Sequence, residues 1–241
     1  NLTQSAFAQL GDGHGLAEGG SAMAAGFAVI SGNDFRRGGE PYINQLTTAV
    51  NGGPASPQAD GWVTYGLPVV AGLMYRDSIE LGEIKHPVHF DSMRLRAASG
   101  GAGRFRGGPA AEVVYGPRQD PMTIVIPSDC QINPAHGVRG GLNGELAAQW
   151  KVSANGDETA LPNLVQLELQ PGEFVRGRDA GGGGYGSPYE RAAERVLKDV
   201  ERRWETVERA NDIYGVVLTG SLDNDDLAID QTATKAARAS A

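Results

Sequence analysis

The chain is poor in cysteine, in histidine, in long apolar runs and in positive charge. Cys130 is the single cysteine among 241 residues, so no disulfide can close within the chain. That usage fits a cytoplasmic protein better than an exported one. No apolar run approaches the roughly 18 residues of a membrane span, and no charged-then-apolar leader precedes the first elements, so no membrane partner is expected. Lys and Arg number 21 against 29 Asp and Glu, for a net charge of −8 and a pI near 5.0. A nucleic-acid partner is thereby disfavoured, because phosphate binding needs a concentrated basic surface. Histidine is confined to His14, His86, His89 and His136, and their spacing offers no metal-ligand motif. His86 and His89, three apart, would face opposite sides of a strand. No internal repeat is present. The chain starts at Asn1 rather than Met, which reads as processing or as one piece of a larger polypeptide.

What it has in excess is glycine, 35 residues, about twice ordinary usage. The glycines come in bursts without a three-residue period, which excludes collagen. They punctuate short apolar runs at residues 26–30, 43–50, 69–75, 88–97, 111–115, 123–126, 147–152 and 165–169, the pattern of strands and turns. Residues 89–96 alternate impurely, leaving the core face of that strand open. After Gly186 the pattern changes. Ser187-Pro188 reads as a helix N-cap and first position. Ala193, Val196, Leu197, Val200, Trp204 and Val207 then fall on one helical face, ending near Asn211. Glu194 with Lys198, Asp199 with Arg203, and Glu205 with Arg209 would pair on the wet side. A last apolar segment at 214–218 reads as a strand, and 221–241 as a polar tail that docks on a partner or stays loose. The expected fold is α+β: a β-rich domain over 1–180, a glycine loop, helix and closing strand of the same unit over 181–220, and the tail.

Two places could carry chemistry. His136 lies in a loop between Pro134 and Gly137, with Asp129, Cys130 and Arg139 near in sequence, and loops carry function more often than strands. His136, Asp129 and Arg139 are the candidate substrate-binding residues, against a purely structural loop. The glycine run before the helix could cradle phosphate on free N–H groups at Gly182, Gly183 and Gly184. The competing reading is close backbone packing where only glycine fits; the run lacks the Lys-Ser/Thr of a P-loop. Arg104 and Arg106 could clamp an anion or pair with surface acids. Cys130 reads equally as packed thiol or nucleophile. No catalytic residue and no metal ligand is assigned to this chain.

Four segments, in order, resemble the hydantoinase B family. The most specific runs Gly181-Gly182-Gly183-Gly184-Tyr185-Gly186-Ser187-Pro188-Tyr189-Glu190-Arg191, followed by Val196, Asp199, Val200 and then Ala210-Asn211-Asp212-Ile213-Tyr214-Gly215-Val216-Val217. The second is Ser99-Gly100-Gly101-Ala102-Gly103-Arg104-Phe105-Arg106-Gly107-Gly108, after Arg94-Leu95-Arg96. The third is Asn51-Gly52-Gly53-Pro54 with Asp60-Gly61-Trp62. The fourth is Pro134-Ala135-His136-Gly137-Val138-Arg139-Gly140-Gly141 with Gly144. The resemblance, to N-methylhydantoinase, 5-oxoprolinase halves and acetone or acetophenone carboxylase subunits, covers the family's C-terminal part. It implies a heteromeric enzyme with a hydantoinase-A-like ATP-binding subunit and an N-terminal-half hydantoinase-B chain. The ATP and the divalent metal implied by the family would then be held on those other chains. The implied chemistry is hydrolysis of a cyclic amide or carboxylation of a ketone through a phosphorylated intermediate. This chain would complete the active site without catalysing alone; the alternative is a non-catalytic assembly subunit. An independent β-rich binding module would explain the glycines but not the ordered motifs. The family's His and Thr-Asn segment after the Asp-Gly-Trp turn is missing, since residues 64–75 hold no histidine.

Overall fold

The computed structural model describes residues 2–20, 23–48, 51–63 and 76–239. Helix α1 (Leu2–Ala8) is followed by strands β1 (Val29–Asp34) and β2 (Glu40–Gln45). Helix α2 (Ile79–Lys85) leads into β3 (Val88–Leu95), β4 (Ala111–Pro117), β5 (Met122–Pro127), β6 (Ala148–Val152), β7 (Glu158–Ala160), β8 (Leu164–Leu169) and β9 (Phe174–Arg178). Helices α3 (Ala193–Glu201) and α4 (Val207–Asp212), the short strands β10 (Leu218–Thr219) and β11 (Ala228–Ile229), and helix α5 (Gln231–Ala239) complete the order. The fold is α+β and rich in antiparallel strands. One sheet runs β2-β1-β5-β8, a second β3-β4-β9-β6-β7, and β10 pairs with β11.

The two large sheets share one core. Ile30, Ile124, Ile126 and Leu169 from the first meet Val88, Phe90, Val113, Tyr115 and Val175 from the second. Burial of such side chains is worth roughly 1.5–3 kcal/mol each. Tyr115 carries its hydroxyl into this core and donates it to the Ala25 carbonyl at 2.6 Å. The impure alternation of β3 has a definite cause. The register with β4 shifts between Phe90 and Ser92, so Asp91 is an extra residue and the faces exchange. Phe90 before the bulge and Met93 after it therefore both pack on the core. The outer face of the same sheet is ionic: buried Glu112 accepts from Arg94 at 2.6 Å and from Arg178 at 2.7 Å.

The structure differs from the sequence expectation in several places. Residues 25–27 form a 3-10 turn, so the first strand starts at Val29. The second strand ends at Gln45 rather than reaching 50, and the run at 69–75 lies outside the described residues. Strands β7 and β9 were not expected. In β9 the residues Arg176, Gly177 and Arg178 interrupt any apolar alternation, and Gly177 is needed because Ala25 packs directly on it.

The single helix expected from 187 to 211 is two helices. Pro188–Glu190 is a 3-10 turn, Arg191 is extended, and Arg203 sits in the left-handed region at φ 58°. Thr206 then caps α4, its hydroxyl accepting from the Arg209 amide. The region 221–241, expected as a tail, contains β11 and α5. Asp230 caps α5 through the Ala233 amide, and Arg238 donates to the carbonyls of Tyr214 and Arg191 at 3.0 and 2.8 Å. An Ala-rich segment with a capping Asp is a sound helix former, and polarity alone concealed it. Among the described residues no helix is long and apolar enough to cross a membrane.

Candidate functional site

The four glycine segments of the sequence meet in one bundle of closely packed backbones. The run 181–186 lies among the segments near 18, 53, 99–108 and 136–145, and every one of its amides is committed. Gly181 and Gly184 donate to Glu145 and Leu142, Gly182 and Tyr185 to Gly108 and Phe105, and Gly183 and Gly186 to Glu18 and Val138. In the first two pairs, residues three apart donate to one and the same neighbouring segment, the period of an extended three-residue helix; Gly183 and Gly186 use different segments. A Cβ on Gly181 would meet Ser99 and one on Gly184 would meet Ala102, again three apart, while Gly182 faces Gly53 and Gly183 faces His136. Each approach to a carbonyl oxygen would be closer than 3.0 Å. Glycine is there because backbone touches backbone. The phosphate cradle expected at Gly182, Gly183 and Gly184 is therefore not formed: these amides are buried and already paired, and the close-packing reading holds.

The loop bearing His136 wraps this bundle. The His136 amide donates to the Glu18 carboxylate at 3.0 Å, and its carbonyl accepts from Glu18 at 2.9 Å. Its side chain is exposed, as are those of Asp129 and Arg139. Arg139 adopts φ 57° in the following turn and lends positive potential to Asp12. Asp129 leaves the end of β5, its amide tied to Met23 at 2.9 Å. The three hang on different backbone anchors. His86 and His89 take separate neighbours, Tyr42 and Glu83. Among the described residues no group of three or more His, Cys, Asp or Glu could hold a metal ion. The described residues thus offer no donor set for the divalent metal implied by the family.

A second feature joins three of the four motifs by charge. Arg191, 1% exposed, donates from both terminal nitrogens to Asp60, at 2.7 and 2.9 Å, and from Nη2 to Asp199 at 2.7 Å. Arg195 adds a bond to Asp60 at 2.9 Å. Buried Arg106 pairs with Asp199 at 3.1 Å and lies 4.7 Å from the centre of the Trp204 ring. Bidentate pairing fixes the planar groups and satisfies their desolvated charge. Burial opposes ionisation of Asp60, but Arg191, Arg106 and Arg195 hold its carboxyl below the ordinary range. These groups line an open cleft of about 400 Å³ with Gly61, Val63, Lys198 and Arg202.

Sequence reasoning missed this network. By local pattern Asp60 reads as a turn signal, and Asp199 falls on the wet face with Arg203. The signal was there: Asp199 lies three residues after Val196, inside the buried register of Ala193, Val196 and Val200. Glu205 and Arg209 do pair, at 3.1 Å, but Glu205 is buried and precedes the Thr206 cap of α4, so the pair is not the wet-face helical pair expected.

Glu205 gives a pH test. Burial lifts its carboxyl above the ordinary range, with Arg209 pulling down less strongly. A raised folded value means that its contribution is complete below the unfolded value of 4.5 and is lost as pH rises through the folded one. Glu205→Gln stays neutral throughout. Urea midpoints measured from about pH 4.5 to 7 should move in favour of the variant as pH rises. A difference independent of pH would refute this account.

Comparison with known proteins follows the same lines. The sequence model of the hydantoinase B/oxoprolinase family matches residues 1–188. The chain is 33% identical over 215 residues to the caprolactamase subunit beta of Pseudomonas jessenii, covering 87% of this chain and 36% of that protein. It is 22% identical to the acetone carboxylase alpha subunit of Xanthobacter autotrophicus, covering 87% of this chain and 31% of that one. The solved ATP-dependent caprolactamase from Pseudomonas jessenii matches 93% of this chain with a TM-score of 0.75 and 30% identity, while this chain covers 38% of it. A nucleotide-free acetone carboxylase matches with a TM-score of 0.73 at 18% identity, which speaks to fold alone. The chain thus spans about a third of the length of these relatives.

Proposed function

Because the chain belongs to the hydantoinase B/oxoprolinase family, we propose that it works as one component of an ATP-dependent enzyme that hydrolyses a cyclic amide or carboxylates a ketone. The reading is carried by the match to the ATP-dependent caprolactamase over 93% of this chain at 30% identity. An amide or enolate oxygen is a poor leaving group, and its phosphorylation lowers the barrier to attack; donors aimed at the developing oxyanion lower it further. In this proposal a hydantoinase-A-like subunit binds ATP, and an N-terminal-half hydantoinase-B chain carries the divalent metal, all in the cytoplasm. This chain completes the chamber: the rigid glycine bundle presents the exposed loop with His136, Asp129 and Arg139 to the substrate.

The test is to purify the chain from its native source with whatever accompanies it. ATP turnover dependent on caprolactam, a hydantoin or acetone is then assayed with and without this chain. The expected result is large partner subunits and substrate-dependent ATP turnover that disappears when the chain is withdrawn. A clean monomer, or full turnover by the partners alone, overturns the proposal. Within the active complex, His136→Ala should cut kcat/KM at least about tenfold, the worth of one lost polar contact. Unchanged turnover would remove His136 from the site.

A further inference from the structure

We propose that the cleft between the Asp60 loop and helix α3 binds a compact, multiply charged oxyanion of the phosphate class. The proposal is independent of the assembly reading above.

The argument starts from charge balance. Five cationic side chains, Arg106, Arg191, Arg195, Lys198 and Arg202, face two carboxylates, Asp60 and Asp199, around about 400 Å³. This local surplus of three positive charges stands in a chain whose net charge is −8. Both carboxylates are consumed internally. Asp60 accepts from Arg191 and Arg195 through its side-chain oxygens and from the Arg106 amide, and Asp199 accepts from Arg191 and pairs with Arg106. Lys198 and Arg202 have no ion-pair partner among the described residues. Glu194, one turn before Lys198, does not pair with it. Arg195, Lys198 and Arg202 recur at helical spacing, so one face of α3 and its C-cap aims three cations at the cleft.

The site is also rigid. Arg106 and Arg191 are buried and clamped, and Trp204 holds the guanidinium carbons of Arg106 and Arg202 at 4.7 and 5.1 Å from its ring centre. These fixed arginines frame the cleft and keep its potential in place, while the exposed Lys198 and Arg202 supply its unpaired charge. A monocarboxylate would leave most of the surplus unanswered, whereas a phosphate group answers two charges from one tetrahedral centre. The lining comes from separate segments around a compact volume, which suits a phosphate group better than an extended acidic peptide.

The full chain is titrated calorimetrically with inorganic phosphate and with glycerol phosphate at constant ionic strength, with acetate and an oligo-glutamate peptide as comparators. Saturable phosphate-class binding with Kd near or below about 1 mM is expected. It should weaken at least tenfold in Lys198→Glu and in Arg202→Glu and stay unchanged in Lys235→Glu, an exposed lysine on α5. The altered positions are exposed, so urea midpoints should hold; should a reversal perturb folding, Lys198→Gln with Arg202→Gln replaces it. Tighter binding of glycerol phosphate than of free phosphate assigns the site to a phosphorylated small molecule, and the reverse order to phosphate itself. Absence of saturation, equal binding of acetate, binding undiminished in the folded variants, or binding of the peptide alone would overturn the proposal.

Discussion

Gly182→Ala should leave little soluble protein, and any that folds should have a much lower urea midpoint. The added methyl group would come within 3.0 Å of the Gly53 carbonyl oxygen, with the Gly52 carbonyl immediately behind it. Neither can retreat, because Gly53 is itself hydrogen-bonded to Trp62 and Gly108. Separating the backbones would break the neighbouring bonds from Gly101 to Gly182 and from Gly182 to Gly108, each leaving a buried polar group unsatisfied at about 1–3 kcal/mol. A total above about 4 kcal/mol is a large share of the 5–15 kcal/mol that holds a typical domain. The measurement is soluble yield and urea midpoint. The contrast is Gly82→Ala. Gly82 lies inside α2, and a Cβ there meets only the Phe90 ring at 3.7 Å, an ordinary contact. Alanine should stabilise that helix by about 0.5–1 kcal/mol. Equal effects at the two positions would refute the packing account of the bundle.

Arg191→Met should cost about 3–5 kcal/mol, the penalty for leaving one side of a buried ion pair uncompensated. The substitution preserves much of the side-chain volume, so the loss reads out the charge. It removes the fork that bonded both Asp60 and Asp199, leaving them only Arg195 and Arg106, and releases the Arg104 carbonyl that Nη1 also satisfied at 3.1 Å. Arg191→Lys should recover little, since one ammonium cannot span both carboxylates in the fork geometry. Urea denaturation at neutral pH checks both variants, and a Lys variant equal to wild type would show that fork geometry is not needed. Acid should narrow the gap between Met variant and wild type. The Asp60 carboxyl is held below its ordinary value, so its contribution is present above the unfolded value and disappears as pH falls through the folded one.

The three motifs joined in this network were visible in the sequence as letters but not as partners. Asp60 and Arg191 stand 131 residues apart, and nothing in local periodicity links them. The same holds for the glycine bursts. Each was legible as a place where a side chain would not fit, yet a turn and a backbone bundle make the same local demand for glycine. Only the positions of the other segments separate a phosphate cradle from a packed run. Helix α5 and strand β9 were missed for a different reason: their apolar content is small, and their order comes from caps and from contacts with Tyr214, Arg191 and Ala25.

The sequence by itself determined the class of fold, the positions of most strands, the apolar face of α3 and the family to which the chain belongs. These follow from short-range patterns of apolar residues, turn residues and ordered motifs, which hold whatever the chain folds against. The tertiary structure alone decided that the amides of Gly182, Gly183 and Gly184 face carbonyls, that Asp199 turns inward to Arg191 and Arg106, and that surplus positive charge gathers beside α3. Each of those outcomes depends on which backbone or charge arrives from far along the chain, and a hydrogen-bond donor carries no local mark of the acceptor it will find.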